Sequence, residues 1–134
     1  MTLPIDHVAI VVRSLDEALA FYRDALGLDV IERRDVPEEG VEVASLPLGG
    51  GRIELVRPLS DEGGVARFLE KRGEGLHHIC LVVDDIVDAM EQLRDAGAEL
   101  VTDEPQVGVD GTRYVFIHPK SAHGVLLELY EEPT

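Results

Sequence analysis

The chain has 134 residues, a hydrophobic share of 45% and a formal net charge of −15. That is enough apolar material to bury a core and too little basic charge for a nucleic-acid-binding face. No apolar run approaches the ~20 residues that a membrane helix needs, and the N-terminus has neither the basic start nor the apolar core of a secretory leader, so a soluble cytoplasmic protein without membrane partners is the expectation. One cysteine, Cys80, excludes an intrachain disulfide. Its place among aliphatic residues reads as a small buried side chain rather than a reactive thiol. Of the basic residues only Lys71 and Lys120 are lysines. A surface this acidic serves solubility, and adaptation to a salty cytoplasm that screens the self-repulsion is the sharper expectation.

Residues 6–12 read as a strand. Ser14-Leu15-Asp16-Glu17 forms a capping box, with Ser14 as N-cap and Glu17 reaching back. Leu15, Ala18, Leu19, Tyr22, Ala25 and Leu26 then recur at helical spacing, and Gly27 supplies the stop. Strands are expected at about 28–36, 41–48 and 52–57, separated by Pro37-Glu38-Glu39-Gly40 and Gly49-Gly50-Gly51. A connector covers 59–75, with a short helix around Val65-Ala66-Arg67-Phe68-Leu69. A second series follows: a strand at 78–83, a helix capped by Asp85 and ended by Gly97, and strands near 98–102, 112–117 and 124–130.

The two series are one plan written twice. Asp6-His7-Val8-Ala9-Ile10-Val11-Val12 matches His77-His78-Ile79-Cys80-Leu81-Val82-Val83 at an offset of 71 residues (78 − 7). The register carries on through Leu15 and Ile86, Ala18 and Ala89, and Arg23-Asp24-Ala25 and Arg94-Asp95-Ala96. Each half ends in a strand with a carboxylate among aliphatics, Ile53-Glu54-Leu55-Val56 and Leu126-Leu127-Glu128-Leu129. The expected fold class is α+β: two tandem βαβββ modules, about 4–58 and 76–132 within a single domain, forming a cupped mixed sheet with the helices outside and a cavity within.

His7 alone reads as a satisfied core histidine, and Glu54 or Glu128 alone fits an outward-facing strand residue as well as an inward one. The repeat changes that reading, because each module offers one strand histidine and one strand carboxylate at corresponding places. A carboxylate aimed into a cavity costs several kcal/mol unless it is paired or bound to metal. His7, Glu54, His78 and Glu128 are therefore the candidate ligands of one divalent ion. Two imidazoles and two carboxylates suit Co²⁺, Mn²⁺, Ni²⁺, Fe²⁺ or Zn²⁺, and an octahedral ion would keep two positions open.

This pattern resembles the vicinal oxygen chelate superfamily and, within it, is similar to the methylmalonyl-CoA epimerase family. The resemblance is carried by Leu76-His77-His78-Ile79-Cys80-Leu81-Val82-Val83-Asp84-Asp85-Ile86, Phe116-Ile117-His118-Pro119-Lys120-Ser121 and Gly124-Val125-Leu126-Leu127-Glu128-Leu129. Asp6-His7-Val8-Ala9 and Gly40-Val41-Glu42-Val43 support it. It implies metal ligands at His7, Glu54, His78 and Glu128, with Co²⁺ foremost, and epimerisation of an acyl-CoA substrate through a stabilised enolate. Glu42 and Glu128 are implied as the two bases, and a homodimer as the assembly. Some members carry Gln where this chain has Glu54, and an acid there makes the set similar to bacterial glyoxalase I, so a glyoxalase-type lyase is the alternative enzyme. A small-molecule-binding protein of the same fold is the non-enzymatic alternative. On spacing alone Glu42 is an ordinary exposed strand glutamate, His118 and Lys120 are turn residues, and His77 and His123 are loop or strand-edge residues.

Overall fold

The computed structural model describes residues 2–108 and 110–133. The chain divides into two compact units, one of residues 7–77, the other of the residues up to Asp6 together with those from His78 onward. The connector therefore folds with the first unit. The N-terminal residues fold with the second, where the Val82 amide donates to the Pro4 carbonyl at 2.9 Å and Leu3 packs on the core.

In the first unit, β1 (Ile5–Val11) runs parallel to β4 (Gly51–Pro58), and β3 (Val41–Leu48) lies antiparallel between β4 and β2 (Glu32–Val36), giving the order β2-β3-β4-β1. Alternation along these strands sorts the side chains onto two faces. One face carries Val12, Ala44, Leu46, Ile53 and Leu55, and α1 (Leu15–Leu19) covers it with Leu15 and Leu19, both 1% exposed. The opposite face carries His7, Ala9, Val43, Ser45, Glu54 and Val56. Val65 of α2 (Gly64–Arg72) packs against its apolar part.

The second unit repeats this arrangement with β5 (Gly75–Val82), α3 (Ile86–Asp95), β6 (Gln106–Val107), β7 (Arg113–Ile117) and β8 (Leu127–Glu131), in the order β5-β8-β7-β6. β5 and β8 are parallel, and β7 is antiparallel to both of its neighbours. Ile86 and Met90 of α3 pack on Val83, Val115, Ile117 and Leu129. Ser14 and Asp85 cap α1 and α3, accepting from the amides of Glu17 at 3.2 Å and Asp88 at 3.0 Å.

Three expectations fail. The first helix does not stay α-helical: Ala20–Ala25 is a π-helical stretch, closed by the Leu26 amide on the Phe21 carbonyl at 2.8 Å. The first helix has 13 positions from Ser14 to Gly27 (27 − 14) against 12 from Asp85 to Gly97 (97 − 85). A π turn is how a helix absorbs one extra residue. Ala25 and Leu26 lie on the surface, away from the core expected for them. Gly27 (φ 90°) and Gly97 (φ 88°) nevertheless end the two helices in the left-handed conformation that glycine adopts without strain. Secondly, 98–102 is not a strand but a single bridge from Leu100 to Ile117. Val101-Thr102-Asp103-Glu104 forms bends, and the following Pro105 has no amide to extend a ladder. Similarly, the strand expected from residue 28 begins at Glu32, and Leu28 and Val30 serve as core cover instead.

Candidate metal centre

The four proposed ligands form two pairs, one in each unit. Ala9 faces Glu54 across β1 and β4, which places His7 one side-chain step away on the same face. The His7 Nε2 and Glu54 Oε1 atoms lie 3.4 Å apart, with both side chains largely buried. In the second unit Cys80 faces Glu128 across β5 and β8, and His78 Nε2 lies 3.0 Å from Glu128 Oε1. Cys80 is fully buried, as a small apolar residue would be. Phe116, opposite Glu128 on β7, packs edge-on against the His78 ring at 5.3 Å and fixes its tilt. Both pairs lie on the sheet face turned away from the covering helix of their unit. An imidazole nitrogen and a carboxylate oxygen brought together at low exposure are the donors a divalent ion of intermediate hardness takes, so the residues fit the implied metal.

A third polar residue joins the first pair. Arg52, opposite His7 in the β1–β4 register, donates its Nε–H to Glu54 Oε2 at 3.1 Å. Sequence reasoning missed Arg52. Its signal was available, since it stands two residues before Glu54 on one strand and so shares its face.

Glu42 is a correction. Its register partner is Arg57, and it lies on the face with Ala44 and Leu46, which α1 covers. Glu54 lies on the other. Arg57 donates to Glu42 Oε1 at 3.0 and 3.1 Å, and Arg33 donates to Oε2 at 3.1 Å while also bonding Asp16 of α1 at 2.7 Å. These cations, the Arg33 hydrogen bond foremost and Arg57 after it, hold the Glu42 carboxyl below the ordinary glutamate range. Glu42 is therefore a structural ion-pair residue that ties β3 to α1 and β4, and it does not share the face on which His7 and Glu54 meet. The remaining sequence candidates keep their modest roles. His118 Nδ1 accepts from the Lys120 amide at 3.0 Å in a turn, His77 packs its ring on Phe68 at 5.0 Å, and His123 sits at a positive φ of 56° beside Gly124.

Among the described residues, no helix is long and apolar enough to cross a membrane. Residues 6–116 match the model of the Glyoxalase/Bleomycin resistance protein/Dioxygenase superfamily. The chain is 42% identical over 127 residues to the ethylmalonyl-CoA/methylmalonyl-CoA epimerase of Cereibacter sphaeroides, covering 93% of this chain and 95% of that protein. Among solved structures, the methylmalonyl-CoA epimerase of Mycobacterium tuberculosis superposes with a TM-score of 0.86 at 37% identity, over 98% of this chain and 88% of that one. A Streptomyces coelicolor methylmalonyl-CoA epimerase variant in complex with 2-nitronate-propionyl-CoA gives 0.86 at 35% identity, over 99% of this chain and 100% of that one. With its α+β architecture and its paired strand histidines and glutamates, the chain belongs to this superfamily and, within it, to the methylmalonyl-CoA epimerase family.

Proposed function

We propose that the protein is a metal-dependent methylmalonyl-CoA epimerase that interconverts the two configurations at C2. The observation that carries the reading is the repeated His–Glu pair, His7 with Glu54 and His78 with Glu128, placed at matching register in the two units. The substrates for which the relatives are named support the acyl-CoA class.

His7, Glu54, His78 and Glu128 would hold one divalent ion, with Co²⁺ the first candidate and Mn²⁺, Ni²⁺, Fe²⁺ and Zn²⁺ behind it. When bound, such an ion supplies Lewis acidity toward the substrate's oxygens and disperses the charge of the enolate. The protein's own task is proton handling. The C2 hydrogen lies between a thioester and a carboxylate. Epimerisation removes it as a proton, leaves the electron pair in a planar enolate, and returns a proton to the opposite face. Glu128 is the carboxylate we assign to one face of that plane. Inversion also needs a proton carrier on the other face, and we do not assign Glu42 to it, because Glu42 pairs with Arg57 on the helix-covered face. The reading carries with it a cytoplasmic location and a homodimer.

The test is exchange of the C2 proton of methylmalonyl-CoA in deuterated water by the Co²⁺-loaded protein, read together with inversion at C2. Exchange with inversion supports the proposal. Turnover of methylglyoxal with a thiol, and none of methylmalonyl-CoA, would replace it with the lyase reading. Glu42→Gln is expected to retain most of the exchange, because Glu42 faces the helix.

A further inference from the structure

Arg52 breaks the symmetry of the two half-sites. Position 52 stands two residues before Glu54, and the corresponding position before Glu128 is Leu126. Glu54 is thus held at both oxygens: Oε1 lies 3.4 Å from the His7 imidazole, and Oε2 accepts the Arg52 Nε–H at 3.1 Å. Arg52 shares the strand face of Glu54 and is 34% exposed, and its Nε–H lies against the carboxylate. A carboxylate with two equivalent oxygens and a free χ3 rotates easily. A charge-assisted hydrogen bond to one oxygen removes that freedom and presents the other in a fixed direction.

We infer that Arg52 is a positioning residue, which locks Oε2 of Glu54 so that Oε1 alone is offered as a metal donor beside His7; this rests on the ligand reading above. It also explains how the chain uses an acid at position 54, because the guanidinium offsets the negative charge that Glu54 brings. The inference has a sign. A cation near a metal site repels a divalent ion, so if charge alone mattered, removing Arg52 would tighten binding. If orientation matters, removing it weakens binding.

The experiment measures the Co²⁺ dissociation constant by chelator competition, with the visible spectrum of the Co²⁺ protein, for the wild type, Arg52→Met, Arg52→Lys, Glu54→Gln and the Arg52→Met/Glu54→Gln double variant. Arg52→Met is expected to weaken Co²⁺ binding about tenfold, the low end for loss of a group that orients a ligand, and to alter the spectrum. Arg52→Lys, which keeps a donor, should stay within about threefold of the wild type, and in the Glu54→Gln background Arg52→Met should change affinity less than about twofold. Tighter binding in Arg52→Met, or an equal effect with and without Glu54, overturns the positioning role while leaving the ligand set intact. A wild type that does not take up one Co²⁺ per chain overturns the ligand set and this inference with it.

Discussion

The two modules carry one design with two different supporting casts. Counting three residues on from each proposed ligand carboxylate gives Arg57 in the first module and Glu131 in the second. Their register partners are Glu42 and Arg113. Both pairs are on the helix-covered face of their sheet, and both are ion pairs, at 3.0 Å for Arg57–Glu42 and 2.8 Å for Arg113–Glu131, with the charges exchanged between the strands. Glu42 is tied on to α1 through Arg33 and Asp16, whereas Glu131 also accepts the Ile86 amide at 2.8 Å at the start of α3. The comparison shows which features the fold tolerates exchanging. The sign of a helix-side pair can be reversed because only attraction is needed there. The His–Glu pair on the other face keeps the same residue types in both modules, as the proposed ligand role requires.

The largest effect expected from this comparison concerns that retained pair. His7→Ala and His78→Ala should each reduce Co²⁺ affinity at least about a hundredfold, more than loss of an orienting group costs, and epimerase activity should fall in parallel. Equilibrium dialysis of both variants checks this. If one variant binds Co²⁺ as the wild type does, the two halves do not contribute to one ligand set.

Next in size are the two cores. Leu19 and Met90 are equivalent under the repeat (90 − 19 = 71), and each is 1% exposed beneath its sheet. Leu19→Ala and Met90→Ala should each cost about 2–5 kcal/mol in urea unfolding, the usual range for emptying a close-packed site. Similar costs mean the modules share the load, and a cost confined to one shows that its partner packs more loosely.

The helix-side pairs should matter less and should leave chemistry alone. Glu42→Gln and Glu131→Gln are each expected to cost roughly 1–2 kcal/mol, as partly screened charge-assisted bonds do, with Co²⁺ binding unchanged. Both carboxyls sit below the ordinary value of 4.5, Glu42 through the Arg33 hydrogen bond first and Glu131 through the Ile86 amide first, then Arg113. A carboxyl depressed in the folded state contributes stability that is complete above its unfolded pKa and is lost as the pH falls through the folded one. Wild-type stability should therefore decline as the pH drops below about 4.5, and each variant should show a shallower decline. An unchanged pH slope in both variants would show that these pairs are ornamental.

How much of this was readable in the residues depends on whether a feature is local or relational. The caps at Ser14 and Asp85, the stops at Gly27 and Gly97, and the strand runs around His7 and His78 depend on neighbours a few positions away, and they stand in the structure where the residues place them. The role of Glu42 is relational. It depends on which face of β3 points which way, and hence on the hairpin at Gly49 and Gly50, which pairs Leu48 with Gly51. That register pairs Ser45 with Glu54, and Glu42 stands three positions before Ser45 (45 − 42), so Glu42 and Glu54 must lie on opposite faces. The turn is visible in the residues, and strand parity counted through it places Glu42 where likeness of motif does not. Arg52 is legible the same way, since it shares the parity of Glu54 and lies outside the motif. The π turn is a different case, because nothing local marks it. It shows only when the two halves are counted against each other.

That count supplies the smallest and sharpest prediction. If the first helix carries one spare residue, deleting the exposed Leu26 should restore the spacing of the second helix and convert the π turn into an ordinary α turn. Leu26 is 56% exposed and contributes nothing to the core, so the deletion should change stability by less than about 1 kcal/mol, as surface changes do. Helical circular dichroism should hold or rise slightly. Deleting Ala96, the residue before Gly97, removes a position from a helix with none to spare. It would pull Leu93, which packs on the Ile86 and Met90 cluster, out of register with its sheet, so it should cost several times more. Equal damage from the two deletions would mean that the π turn holds the first helix in register, and that the first module's extra residue is part of its packing rather than an insertion it absorbs.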